Sequence, residues 1–142
     1  MKTLDFDLRE VVDAMDSMAF GSDSEAYLNL KTGKVIYNSD EMLRGEPPEV
    51  PDAGERPDDY LFLRPFESPE KFRIMEDFAH QVENERDRNK LMRALGGRKP
   101  FRNFRDKLHD LGGSYLEKFY DFEKKGLDRI ALGYLVVNGV ER

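Results

Sequence analysis

Apolar residues recur at helical spacing close to the amino terminus. Four of them fall at i, i+3, i+4 and i+7: Leu8, Val11, Val12 and Met15. This spacing places them on one face of a helix. Asp7 precedes the run and Glu10 follows it three residues later, a combination that resembles a capping box. The pattern predicts an amphipathic helix that begins just after Asp7.

The pattern changes to β-prone runs in the stretch EAYLNLKTGKVIYNS. Residues 25–30 and 34–38 predict two strands, and Gly33 between them can supply the positive φ that a tight turn needs. Residues 39–59 contain four prolines, which cannot donate to a sheet ladder or continue a helix, so we expect an acidic surface loop there. The run YLFLRPF then predicts a third strand from residue 60.

Residues that commonly start helices mark the second half of the chain. Ser68, followed by Pro69, predicts the start of a helix with a hydroxyl cap. Asn84 predicts the cap of a second helix, which ends at Gly96. Pro100 predicts the start of a third helix.

A further apolar pattern at helical spacing predicts a last helix over residues 114–137, with an interruption at Gly126. Strands therefore cluster early and helices late, which is typical of the α+β class. We expect a small antiparallel sheet of about three strands, a hairpin plus one, packed against about five helices. The chain has 142 residues, a length that fits one core, so we expect residues 1–142 to form a single domain.

The composition excludes several kinds of chemistry. The chain has no cysteine, which excludes disulfides, a thiolate nucleophile and Cys-ligated metals. The amino terminus is acidic where a signal peptide needs an apolar run, and no stretch of about twenty apolar residues occurs. These features predict a cytoplasmic protein without a membrane partner.

The net charge of −6 is unevenly distributed along the chain. Residues 1–60 carry 6 basic and 15 acidic side chains, whereas basic side chains outnumber acidic ones in the rest. Five basic side chains concentrate within residues 96–113: Arg98, Lys99, Arg102, Arg105 and Lys107. A local positive charge of this kind favours nucleic acid or an acidic protein surface as a partner.

The spacing within this basic stretch separates apolar from charged side chains. In a helix over residues 100–111, four apolar side chains share one face, which we expect to be buried: Phe101, Phe104, Leu108 and Leu111. Arg102 and Arg105 line a neighbouring face. Because buried rings cannot stack on bases, these arginines and the preceding Arg98 and Lys99 are the candidate anion-binding residues.

Acidic residues on an earlier predicted helix offer two alternatives. In the first, the two helical arginines pair with Glu76, Asp77 or Glu83 and hold the helices together. In the second, Glu76, Asp77 and His80 bind a divalent metal through carboxylate and imidazole groups, although their spacing matches no recognised ligand motif.

Three stretches resemble the uncharacterised bacterial protein family UPF0158 in their order and pattern. They are EAYLNLKTGKVIYNS, the run from YLFLRPF to FRDKL, and FYDFEKKGLDRIALGYLVVNGV. The most specific element is a series within the second stretch: Glu76-Asp77-Phe78, Leu95, Gly97-Arg98, Phe101-Arg102 and Phe104. One departure is Tyr134, which replaces a tryptophan expected in the last helix. The resemblance implies a bacterial cytoplasmic domain, and the family has no established activity, substrate or cofactor.

The motifs of common enzymes do not occur in the chain. There is no Gly-x-Ser-x-Gly, no P-loop and no Gly-x-Gly-x-x-Gly. We therefore expect a non-catalytic binding or regulatory domain without a cofactor, in which the four candidate basic residues contact an anionic partner. The alternative is a small metal-dependent or carboxylate-based hydrolase that uses the three candidate metal ligands.

Overall fold

The computed structural model describes three ranges of the chain: residues 2–17, 24–38 and 50–142. These residues form two compact units. The sheet unit comprises the described residues up to Phe66 together with Asp128–Arg142, and the helical unit comprises Glu67–Leu127. The expectation that residues 1–142 form a single domain stays a prediction.

The sheet unit contains one short helix and five strands among its described residues. In chain order these are β1 (Lys2–Thr3), α1 (Leu8–Ser17), β2 (Glu25–Asn29), β3 (Val35–Asn38), β4 (Tyr60–Phe62) and β5 (Val140–Glu141). The antiparallel sheet has the order β3-β2-β4. Tyr27 of β2 lies opposite Ile36 on one side and Phe62 on the other. The predicted hairpin plus one strand is confirmed.

The turn between β2 and β3 depends on two residues. Gly33 has a φ of +77°, and a Cβ atom at this position would collide with the backbone carbonyl oxygen of Asp5. The side-chain oxygen of Asn29 accepts hydrogen bonds from the backbone N–H groups of Lys31, at 2.9 Å, and Thr32, at 3.1 Å. The predicted role of Gly33 in the turn is therefore confirmed.

A small parallel pair joins β1 to β5, and the sequence pattern did not predict it. Lys2 lies opposite Val140, and Thr3 lies opposite Glu141. The backbone N–H of Leu4 continues the pairing by donating to the carbonyl oxygen of Glu141 at 2.8 Å.

The predicted acidic loop is described only in part. Residues 39–49 lie outside the described residues, so the prediction cannot be compared there. Residues 50–59 contain a short 3₁₀ turn, Ala53–Glu55. Immediately after it, Nη2 of Arg56 lies 2.9 Å from Oδ2 of Asp59, an ion pair that spans the end of the loop before β4.

Four helices follow β4. They are α2 (Ser68–Gln81), α3 (Glu85–Leu95), α4 (Pro100–Leu111) and α5 (Tyr115–Val137). The last ten residues of α5 belong to the sheet unit. Together with α1 they make five helices within the described ranges, and the α+β class is confirmed.

Two predicted helix caps are confirmed by hydrogen bonds. The backbone N–H of Arg9 donates to Oδ1 of Asp7 at 2.9 Å, at the start of α1. The backbone N–H of Asp87 donates to Oδ1 of Asn84 at 3.0 Å, at the start of α3. Each side chain satisfies an N–H group that the helix itself leaves without a partner.

Two other predictions about the helices were wrong. Ser68 does not cap α2 but is its first residue, and the cap is Glu67, which has the extended backbone of a capping residue. The backbone N–H of Glu67 donates to Oε1 of Glu70 at 2.9 Å. The helix α5 also continues through Gly126, where Ile74 packs so closely that a Cβ would lie 3.0 Å from its Cδ1.

An aromatic cluster forms the centre of the helical unit. Phe78, Phe104 and Phe119 come from α2, α4 and α5, and each pair packs edge to face, with centroids 5.2 to 6.5 Å apart. Phe122 adds a fourth ring, 5.6 Å from Phe78. This cluster fixes which face of α4 points inward and therefore which face points to solvent.

Candidate anion-binding surface

The helix α4 buries the apolar face that the sequence predicts. Phe104 and Leu108 are fully buried, and Phe101 and Leu111 are half-buried. The rings of Phe104 and its neighbours in the cluster are consequently closed to a base or another planar ligand. Any ligand contact on this helix therefore has to involve its charged face.

The four candidate anion-binding residues are all exposed. Arg98 and Lys99 lie in the turn between α3 and α4, and Lys99 directly precedes the first residue of α4. Arg102 and Arg105 lie on the first half of α4, with exposed side-chain fractions of 73% and 48%. The turn and the start of α4 thus bring two cationic pairs to one end of the helix.

Two of these residues have ion-pair partners, and the partners differ from those considered in the sequence. Nε of Arg102 lies 3.8 Å from Oδ2 of Asp106, one turn further along α4. Nη2 of Arg105 lies 3.7 Å from Oε2 of Glu123 on α5. The sequence suggested acids of α2 because it did not show that α5 packs beside α4.

These ion pairs leave most of the charge available to a partner. Both distances are long for charge-assisted hydrogen bonds, and both arginines are well exposed to solvent. Exposed pairs of this geometry contribute on the order of 0–1 kcal/mol, because water screens the charges and the long side chains lose entropy. An incoming anion can therefore compete for Arg102 at little cost.

The structure gives the positions of the three candidate metal ligands. Glu76 is half-buried, His80 is exposed, and Oδ1 of Asp77 lies 3.7 Å from Nε of Arg73. Across the three ranges that the structure describes, no group of three or more His, Cys, Asp or Glu side chains is placed to hold a metal ion. No observed geometry supports these residues as ligands.

A groove of about 370 Å³ runs between α3 and α4. Its basic lining comes from both helices: Lys90 and Arg93 of α3, and Lys107 of α4. Asn103 lies between them, and Asp106 and Asp110 form the acidic part of the lining. Lys90 and Arg93 were not among the sequence candidates. The signal that could have found them is the continuous excess of basic residues from 86 to 107.

One acid of α3, Asp87, accepts a hydrogen bond from a neutral donor. The hydroxyl of Tyr115 donates to Oδ2 of Asp87 at 2.7 Å. This hydrogen bond to the carboxylate raises the pKa of Tyr115 above its ordinary value, with burial adding to the effect. Asp87 is thus engaged with α5.

The fold and this surface together define a class: an α+β protein whose helical unit presents basic side chains of α3, α4 and the turn between them to solvent. Within the described residues no helix is long and apolar enough to cross a membrane.

Comparison with known proteins identifies the family of the chain. The model of the uncharacterised protein family UPF0158 matches residues 4–141, so the chain belongs to this family. A UPF0158 protein of Pseudomonas aeruginosa is 29% identical over 138 residues, covering 94% of this chain and 88% of the relative. No solved structure matches the chain. The resemblance expected from the sequence is confirmed, and the family remains without a known function.

Proposed function

We propose that this protein is a non-catalytic binding domain of the bacterial cytoplasm. In this proposal it contacts an anionic partner through Arg98, Lys99, Arg102 and Arg105. The bacterial setting is supported by the relative from Pseudomonas aeruginosa. The cytoplasmic setting is supported by the absence of cysteine.

The observation that carries the proposal is the separation of rings and charges on α4 and its preceding turn. Phe104 is fully buried while Arg98, Lys99 and Arg102 are exposed. Arg102 has only a loose partner on its own helix. Four cations in the turn and the first half of one helix favour a negatively charged partner.

Retention on immobilised heparin, a general polyanion, tests this proposal. We expect the wild-type protein to be retained at low salt. The Arg98→Glu/Arg102→Glu variant should elute at a clearly lower salt concentration, because two cations become anions at the proposed contact.

A variant with the same charge change elsewhere is the control. Arg73→Glu/Arg129→Glu reverses two exposed arginines on α2 and α5, outside the proposed contact. It should elute close to wild type. Equal losses for both variants would show that retention depends on net charge alone and would contradict the proposal. Circular dichroism melts establish that each variant is folded.

A further inference from the structure

The basic excess extends beyond the residues of the proposed function. We define the basic helix pair as α3, the turn at residues 96–99, and α4. Over residues 85–111 it carries nine basic and four acidic side chains, in a protein with a net charge of −6. This helix–turn–helix segment therefore has a local excess of positive charge in an acidic protein.

Most of these basic side chains are not committed to internal contacts. Arg88 donates to the backbone carbonyl oxygen of Val82 at 2.9 Å, and Arg105 pairs with Glu123. Within the described residues no ion pair joins Arg86, Lys90, Arg93, Arg98, Lys99 or Lys107 to a carboxylate. Arg86, Arg93, Arg98 and Lys99 are exposed, and Lys90 and Lys107 are half-buried.

The connection between the helices has the length of a nucleic-acid-binding helix–turn–helix. Four residues, two of them glycines, separate Leu95 at the end of α3 from Pro100 at the start of α4. In such motifs the second helix enters the major groove of DNA, while the first helix and the turn contact phosphates. Arg102 and Asn103 lie near the start of α4, where that motif places residues that read base edges.

The buried rings indicate which form of nucleic acid fits. Single strands are bound mainly by stacking bases on exposed aromatic side chains. Here Phe104 is fully buried and Phe101 half-buried, so the surface consists of cations without a stacking platform. An α-helix fits the major groove of B-form DNA, about 12 Å wide, whereas the major groove of duplex RNA is too deep and narrow.

We infer that the basic helix pair binds double-stranded DNA, with α4 toward the major groove and with Lys90 and Arg93 of α3 on the phosphates. This inference rests on the proposed function and adds both the partner and the contribution of α3. The carboxylates of Asp106 and Asp110 line the groove between α3 and α4, and their negative charge opposes the binding of DNA. Asp87 faces Tyr115 instead.

Fluorescence anisotropy with a labelled DNA duplex of about two helical turns tests the inference. We expect salt-sensitive binding that weakens roughly tenfold or more in Lys90→Glu/Arg93→Glu, with a shallower dependence on salt concentration. Asp106→Asn removes an opposing charge and should bind more tightly than wild type. Lys118→Glu/Lys124→Glu changes two exposed lysines of α5 by the same charge and should leave binding nearly unchanged.

Three outcomes would overturn the inference. They are absence of duplex binding at low salt, equal or tighter binding of the single strand or of a duplex RNA of the same sequence, and normal duplex binding by Lys90→Glu/Arg93→Glu. If heparin retention still depends on Arg98 and Arg102, the proposed function stands in each case. Without any duplex binding, an acidic protein becomes the partner to seek. With the other two outcomes, the partner is the nucleic acid that binds more tightly, or the DNA contact lies outside Lys90 and Arg93. If that retention is also lost, both proposals fail.

Discussion

The sheet unit and the helical unit use polar side chains in different ways. In the sheet unit, polar side chains hold backbone segments: Nδ2 of Asn38 donates to the carbonyl oxygen of Val50 at 2.6 Å, and its Oδ1 accepts from the Val50 N–H at 3.0 Å. In the same unit the hydroxyl of Tyr134 donates to the carbonyl oxygen of Phe62 at 2.5 Å. In the helical unit, Arg102 makes only a loose ion pair at 3.8 Å.

The difference follows from how each unit satisfies its backbone. Short strands and loops leave backbone groups without ladder partners, so side chains have to supply them. Helices satisfy their own backbone and need side chains only at their ends and in the core. Exposed charged side chains such as Arg98, Lys99 and Arg102 are therefore available to a partner, whereas removing a polar group such as Asn38 from the sheet unit disturbs the fold.

The largest expected effect is in the aromatic core of the helical unit. Phe119 is 0% exposed and packs edge to face against Phe78 and Phe104. We expect Phe119→Ala to lower the free energy of unfolding by about 3–5 kcal/mol, because it leaves a cavity between the two remaining rings. Urea unfolding measures the change.

The adjacent aromatic residue is a matched control. Tyr120 is 48% exposed, so Tyr120→Ala should cost about 1 kcal/mol or less. Similar losses for Phe119→Ala and Tyr120→Ala would show that the ring cluster does not organise the helical unit.

A smaller effect, visible only at high pH, is expected in the sheet unit. Tyr27 is 6% exposed, and its hydroxyl donates to Oε2 of Glu25 at 2.5 Å. Burial, together with the hydrogen bond and the negative charge of Glu25, raises the pKa of Tyr27 from 10.0 to about 12. Because the folded state holds the phenol proton more tightly, its contribution to stability is full below pH 10.0 and declines as the pH rises toward about 12.

Urea unfolding of Tyr27→Phe across this pH range isolates the effect. The variant cannot lose a proton at position 27, so its stability should decline less steeply than that of wild type above pH 10.0. Tyr120→Phe removes an exposed phenol and controls for the general loss at alkaline pH. If the stability of wild type and of Tyr27→Phe declines in parallel, the surroundings of Tyr27 do not raise its pKa.

The smallest expected effect concerns the charged face of α4. Arg105→Gln removes the 3.7 Å pair with Glu123 and should lower the free energy of unfolding by less than about 1 kcal/mol. Arg102→Gln, which loses only a pair within α4, should cost even less. A loss of several kcal/mol for either variant would show that these arginines stabilise the fold. The two units would then not differ in how they use polar side chains.

The helices could be predicted from the sequence because their signals are local. Asp7 and Asn84 each cap the helix that follows within three residues, and Pro100 starts α4 as predicted. The cap of α2 was misplaced by one residue because Ser68 and Glu67 are both able to accept hydrogen bonds at a helix start. A one-residue error arises when two adjacent residues can both cap the same helix.

Features that join distant parts of the chain could not be predicted. The pair β1 and β5 contains two residues in each strand, too few to show a periodic pattern. The ion pair between Arg105 and Glu123, and the groove that brings Lys90 beside Lys107, depend on how helices pack. The sequence could locate the basic stretch, but only the packing shows which side of it is open.

The pairing of β1 with β5 also determines the order in which the two units become complete during translation. The helical unit is one continuous segment, Glu67–Leu127, and is complete once residue 127 has been synthesised. The sheet unit needs Asp128–Arg142 as well, so the ribosome releases its last strand only after the helices exist. During translation, the segment that carries the positive charge is therefore complete while β1 still lacks its partner strand β5.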